Sequence, residues 1–522
     1  MRNYLPLILL CLSPTMLAQE ASDPAWRTFQ HELGVPAPIG ESADHALATS
    51  ITRPFPAVEL AQVNPRKYLL GSDLYQERAL SVDNTMACFI CHAGPLSGTD
   101  GRTVARGVAQ AVGKVNTLTV LNAAFNFRQF WNGRAITLAD QALLPITTPH
   151  EMANTLEQVL VTLQADAWYE KEFNAVYPDG ITTQNLADAI AHFERTSFAV
   201  TNTRFQHFLQ GDKTALNEQE QRGWQRFQDI GCSSCHNGIG LGGNSYQKLG
   251  SWTPWFPTKR QATLNDAGLA ERTNREQDLY VVKVPSLHNV AMTEPYLHDG
   301  SLDNLQSVTA EMARFQLGRE LSDEEISDIV AFLVALNGAP EGLTLEREIR
   351  KRAAQPSCAE ELSPECGPPT TEITHDVAYR NAKDAIIPAL ARLLEALTLV
   401  DSGAVAHFDF VQFEHLELIR HARALQHPPA SQSAQRRQCL QNGASRLLQE
   451  VILLELPIAD YLQAKAMLGV LESHRQSPSP STLTAENLTQ KIVSLEGAAQ
   501  QSMQTIHATL IGNATERLEQ CP

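Results

Sequence analysis

Beyond its N-terminus the sequence has no run of about 20 apolar residues, the length a membrane helix needs. It also lacks a basic excess. Lys and Arg number 41 against 58 Asp and Glu, a formal net charge of −17. That balance argues against nucleic acid and anionic membrane surfaces, and it suits a basic protein partner. Cysteine is scarce, with nine in 522 residues, and none falls between Cys235 and Cys358. The last third, from about Thr374, holds no tryptophan and only Tyr379 and Tyr461 as tyrosines. No repeat relates it to the rest.

Met1 to about Ala18 carries Arg2, the apolar run Leu5 to Leu10 and a small residue at Ala18, which reads as a short secretory signal. Leu10 before Cys11 is the wrong residue for lipid attachment. The expectation is a periplasmic protein without a membrane span. In that compartment the even set Cys358, Cys366, Cys439 and Cys521 suggests two disulfides. Cys358 and Cys366 would close a small loop, and Cys439 would meet Cys521. Unpaired buried thiols are the alternative.

The chemistry lies in Ala87-Cys88-Phe89-Ile90-Cys91-His92 and its echo Gly231-Cys232-Ser233-Ser234-Cys235-His236. A CxxCH stretch attaches a c-type haem: both thiols form thioethers, and the adjacent His ligates iron. A redox CxxC pair or half a zinc site shares the same core. Here His follows both pairs and the chain reads as exported. The reading is two covalently bound haem c groups, with His92 and His236 as iron ligands.

Around these motifs the pattern is mainly α. Residues 19–57 read as an N-terminal arm, 58–165 as a first cytochrome c-like haem domain, and 166–340 as a second. Helices are expected over Leu138 to Leu144, Thr155 to Leu163, Thr183 to Phe198 and Asn217 to Asp229. Pro145 and Pro149 would bracket a turn before Glu151. Ser322-Asp-Glu-Glu325 has the form of a capping box and opens a helix to about Leu336. Residues 341–373, rich in Pro, Gly and Glu, read as a linker. Residues 374–522 read as a four-helix bundle. Its third helix starts near Ser433 and is split by Pro457. His415, on the apolar stripe of the second, reads as a core histidine.

Residues Val58 to Gly338 resemble the bacterial di-haem cytochrome c peroxidase family, which includes the related MauG enzymes. The resemblance rests on both CxxCH motifs, Asn116 to Arg134, Gln141 to Met152, and Lys283 to Gly318, and it does not extend to the tail. It implies a peroxidatic, low-potential haem on Cys88, Cys91 and His92. The haem on Cys232, Cys235 and His236 would take electrons from a donor such as a small cytochrome c or a cupredoxin. Trp131 would bridge the two, and Glu151 would be the distal acid of a pocket also lined by Gln141 and Pro145. Met312 would be the sixth ligand of the second haem, with Met292, His288 and His298 as rivals. A calcium ion would be held by the Asn116 side chain and by the Thr293 and Pro295 carbonyls.

One departure stands out. Family members that need reductive activation carry an iron-capping His about sixteen residues after the first motif; this chain has Val108, which cannot ligate. The first haem is then open to peroxide unless His150 reaches it. MauG enzymes also lack that His, but they have Tyr where Met312 stands. The resemblance therefore implies a hydrogen peroxide-reducing enzyme. A MauG-like oxidase acting on a protein or organic substrate and a non-enzymatic di-haem electron carrier are the alternatives. The tail would dock a donor, form a homodimer or recruit a substrate.

Overall fold

The computed structural model describes residues 52–93 and 97–354, apart from 257 and 260. In the last third it describes scattered positions from 382 to 400, then 408–426, 428, 433–476 and 485–513. The expected signal, most of the arm, and Cys358, Cys366 and Cys521 lie outside the described residues. The fold is mainly α, and among the described residues the one sheet is an antiparallel pair, Tyr246–Lys248 with Val281–Lys283.

The first of the two units runs past the expected boundary at 165, because Phe173, Val176, Leu186 and Ile190 share one core with Cys88 and Cys91. In it, helix Pro65–Gln76 starts at Asn64. The Asn64 side chain accepts from the N–H groups of Arg66 and Lys67, and Pro65 fills the first helical position, where its missing N–H costs nothing. The helix packs along Thr183–Ser197, and helices Leu138–Thr147, Leu156–Gln164 and Ala167–Val176 complete the layer. Leu74, Ile146, Val159, Phe173, Leu186 and Ile190 are fully buried, each contributing about 1.5–3 kcal/mol. Pro145 does not sit in a turn as expected but within helix Leu138–Thr147. It falls in the last turn, where its carbonyl accepts from the Thr148 and Met152 N–H groups.

The second haem domain crosses helices Glu218–Ile230 and Asp323–Val334, both opened by capping boxes, Asn217 with Glu220 and Ser322 with Glu325. Phe205, Trp224, Phe227 and Phe332 interlock at the crossing.

Residues 342–353, inside the expected linker, instead form helix Gly342–Ala353. It runs back onto the first haem domain, against Pro65–Gln76 and Thr183–Ser197. Its apolar stripe is only Leu345 and Ile349, and a charged surface with the Glu346–Arg350 pair hides the period. Arg352 donates to the carbonyls of Leu60 and Val63. The arm makes the opposite crossing: the Thr52 hydroxyl donates to the Gly238 carbonyl at 2.7 Å and the Phe55 N–H to Gln206 Oε1 at 2.7 Å, both on the second domain.

Among the described residues the tail has five helical segments rather than four. They are helical positions between 382 and 400, Phe408–Ala424, Ala434–Leu453, Glu455–Gln476 and Ala485–Asn513. Pro457 does not merely split the third helix. It lies in the first turn of a new one, where proline is tolerated. Leu393, Phe408, Val411, Leu418, Ala444, Ile458 and Leu462 form the core. His415 is a satisfied core histidine, its Nε2 lying 2.7 Å from the Val451 carbonyl. Cys439 is disulfide-bonded.

Candidate di-haem site

Helix Glu218–Ile230 ends at Gly231 in the left-handed conformation (φ 102°), and the short turn Cys232–Ser234 follows. The turn delivers His236 beside both thiols. Its Nδ1 lies 3.1 Å from the Leu241 carbonyl. A carbonyl can only accept, so the proton sits on Nδ1 and Nε2 is left for a metal. Burial holds the imidazole down at about 4, in the neutral form a metal requires.

Cys232, Cys235, His236 and Met312 line one cavity of about 210 Å³, walled by apolar residues such as Val282, Val284, Leu305 and Leu333. Met312 ends helix Leu305–Met312 and is followed by a wide π-type turn, Ala313–Leu317, a distortion frequent at functional sites. The three rivals are placed differently. Met292 is 41% exposed. His298 is held by Asp266 at 2.6 Å. His288 packs edge-on against Phe55 and does not line the cavity.

At the first motif, Cys88–Cys91 is a single helical turn. His92 repeats the arrangement, with Nδ1 2.9 Å from the Gly98 carbonyl and its pKa lowered by burial. Cys88, Cys91, Val108, Ala142, Ile146 and Met152 share one apolar cluster. The Val108 N–H donates to the Glu151 carbonyl at 2.8 Å. A Cβ at Gly107 would run into the carbonyl oxygens of His150 and Glu151, so the two loops lie in direct backbone contact.

The Glu151 carboxylate is half-buried, 3.8 Å from the Arg134 guanidinium and 3.9 Å from His150 Nε2. Burial pushes its pKa up, and Arg134 offsets part of that rise. The Cys91 thiol is pushed up to about 11 by burial, then by Asp100 and by Glu151. Gln141 and Pro145 lie one turn apart on the helix that leads into this corner. Arg134 had been visible only as the end of a matched run; here it stacks on the Phe130 ring at 3.5 Å and reaches Glu151. Gly107 had no sequence signal, because any loop glycine reads alike.

Trp131 lies on a hairpin closed by the Gln129–Ala135 bridge. Its indole N–H donates to the Asn116 carbonyl at 3.0 Å, its ring meets His298 edge-on at 6.3 Å, and it lines the cavity shared by His236 and Met312. Asn116, Thr293 and Pro295 are among the residues that line the same cavity. The Asn116 amide donates to the Arg102 carbonyl at 2.8 Å.

The residues at both motifs fit a covalent haem. A redox CxxC pair needs a depressed thiol pKa, whereas burial pushes Cys232 and Cys235 up to about 12. Half of a zinc site is equally unsupported: among the described residues no group of three or more His, Cys, Asp or Glu side chains is arranged to hold a metal ion. Two thiols, a neutral imidazole and a thioether around one apolar cavity match a His/Met-ligated haem.

The tail covers the second attachment turn. The Ser473 hydroxyl donates to the Ile230 carbonyl at 3.1 Å, and Val470 enters that domain's core. His474 stacks on Trp252 at 4.6 Å, and the Asp409 carboxylate accepts from the Ile239 N–H at 2.8 Å. Cys235 packs against the bundle core.

A family model for di-haem cytochrome c peroxidase matches residues 65–214. The chain is 41% identical over 284 residues to "Cytochrome c peroxidase Ccp" of Escherichia coli K12, covering 54% of this chain and 60% of that protein. It is 40% identical over 270 residues to "Cytochrome c551 peroxidase" of Nitrosomonas europaea, covering 52% and 79%. To "Methylamine utilization protein MauG" of Methylophilus methylotrophus it is 30% identical over 353 residues, covering 64% and 96%. The chain belongs to the di-haem cytochrome c peroxidase family, whose two c-type haems match the two constellations described above.

Proposed function

We propose that this is a periplasmic di-haem c-type peroxidase that needs no reductive activation. It reduces hydrogen peroxide with two electrons and two protons to two waters, and the electrons come from a small cytochrome c or cupredoxin. The observation that carries the reading is Val108, buried beside the first CxxCH motif and tied to Glu151, where activation-dependent relatives have a capping histidine.

Each haem, when bound, supplies a redox-active iron, and the chain's own residues divide the remaining work. His236 and Met312 would both ligate one iron, a donor pair that raises the potential and suits electron transfer. His92 would hold the other, which would supply the site of peroxide reduction. Glu151 takes a proton from peroxide and returns it to the departing oxygen; its raised pKa brings it closer to the working pH. Arg134 steadies the ionised carboxylate, Gln141 and Pro145 would line the same pocket, and Trp131 would provide the aromatic bridge. Asn116, Thr293 and Pro295 would bind calcium through oxygen atoms.

EPR of the oxidised protein, followed by peroxide without reductant, tests the reading. A high-spin ferric signal beside a low-spin one, with prompt loss of the former, is expected. Two low-spin signals and no reaction would sink it and point to His150 as a cap. Val108 also suits a MauG-like oxidase, but Met312 opposes that reading. A mass shift on a co-expressed protein would favour it.

A further inference from the structure

The hairpin that carries Trp131 is gripped from outside the two haem domains. Glu455, the first residue of tail helix Glu455–Gln476, is 3% exposed. Arg128 Nη2 donates to its Oε2 at 2.6 Å. Arg272 donates through Nη1 to Oε2 at 2.8 Å and through Nη2 to Oε1 at 2.6 Å. The Tyr246 hydroxyl donates to Oε1 at 3.4 Å and accepts from Arg272 Nη2 at 3.3 Å.

Tyr246 reaches the far shoulder of the hairpin. Gly133 has φ 67°, and a Cβ there would run into the Tyr246 hydroxyl. Arg128 and Gly133 flank Trp131 in the chain, so both shoulders are set by groups that converge on Glu455. One turn along the same tail helix, Ala459 packs with Phe127 and Tyr246. Tyr246 pairs in the sheet with Lys283, whose N–H donates to the Trp131 carbonyl at 2.8 Å.

Adhesion of the bundle does not require a buried carboxylate at this point. Val470, Ser473 and the Arg275–Asp460 pair at 2.8 Å already hold it. What a desolvated carboxylate between two guanidiniums adds is orientation, because such a cluster is satisfied only as a set.

We propose that Glu455 is a positioning residue for electron transfer between the haems, and that the C-terminal bundle holds the Trp131 hairpin in its bridging geometry. The proposal rests on Trp131 being that bridge. The test uses the full-length, haem-loaded protein, with the second haem reduced by a radiolytic pulse, and follows electron arrival at the first haem optically beside the thermal midpoint. Glu455→Gln should slow transfer about tenfold, a barrier change that such a rate resolves readily. Tyr246→Phe should slow it by a smaller factor with little change in midpoint. Asp460→Asn, which cuts an ion pair of the same tail helix away from the hairpin, should leave it unchanged.

If Glu455→Gln does not fold, Tyr246→Phe carries the test, since it removes only one hydroxyl. Trp131→Phe slow with Tyr246→Phe and any folded Glu455→Gln at the wild-type rate overturns the proposal alone. Trp131→Phe at the wild-type rate overturns the bridge, and the proposal with it. Equal slowing in Asp460→Asn and Glu455→Gln also overturns it, because attachment rather than position would then set the rate.

Discussion

Val108 and Glu151 are joined by a 2.8 Å backbone hydrogen bond from the Val108 N–H to the Glu151 carbonyl. The residue that stands in place of a ligand and the residue proposed to move protons thus sit on two loops stitched into one unit. A shift in either loop would be felt by both, so openness of the iron and placement of the acid are set together.

Val108→His should restore a cap. The expected outcome is loss of the high-spin ferric EPR signal and of peroxide reactivity in the oxidised protein, both recovered on reducing the second haem. Retention of the high-spin signal would show that this loop does not face the iron.

Glu151→Gln should slow the reaction with peroxide by about 10²–10⁴-fold, the usual worth of general acid–base catalysis. The sign of the pH dependence follows from burial. Glu151 accepts a proton only when ionised, and its pKa lies above the ordinary 4.5. The wild-type rate should therefore fall as pH drops through that raised value, and the glutamine variant should lose this acid limb. Stopped-flow pH profiles check both points.

Met312→His should lower the potential of the second haem by on the order of 100 mV, a fraction of the roughly 0.8 V that axial ligands control. The methionine-to-iron charge-transfer band should vanish while the first haem's EPR signal stays. Spectroelectrochemical titration reads the two haems separately.

Gly107→Ala should destabilise the fold by about 1–3 kcal/mol, as overpacking does. The added methyl meets the carbonyls of His150 and Glu151, which are backbone and cannot swing away. Denaturant unfolding gives the loss, and peroxide kinetics should slow in parallel as Glu151 is displaced.

What could be read from the chain was local. Each CxxCH motif holds its ligands within five residues, and the Ser322–Glu325 capping box spans four, so short-range rules suffice for both. Position 108 was legible only by counting along a family pattern. Arg134 beside Glu151 and Gly107 beneath it depend on loops meeting in space. Helix Gly342–Ala353 was hidden because its buried stripe is only two residues wide between proline-rich flanks. The Arg128–Glu455 pair joins residues 327 positions apart, and no periodicity announces such a partner.

The arm ahead of the first haem domain fastens to the second, through Thr52 and Phe55, while the helix after the second returns to the first, through Ile349 and Arg352. This is a reciprocal splint. Neither domain can swing away without dragging a piece of its own chain off the other, so hinge opening is coupled to partial unfolding of both. Electron tunnelling falls off steeply with distance, so a splint of this kind would hold steady the gap that the proposed transfer has to cross.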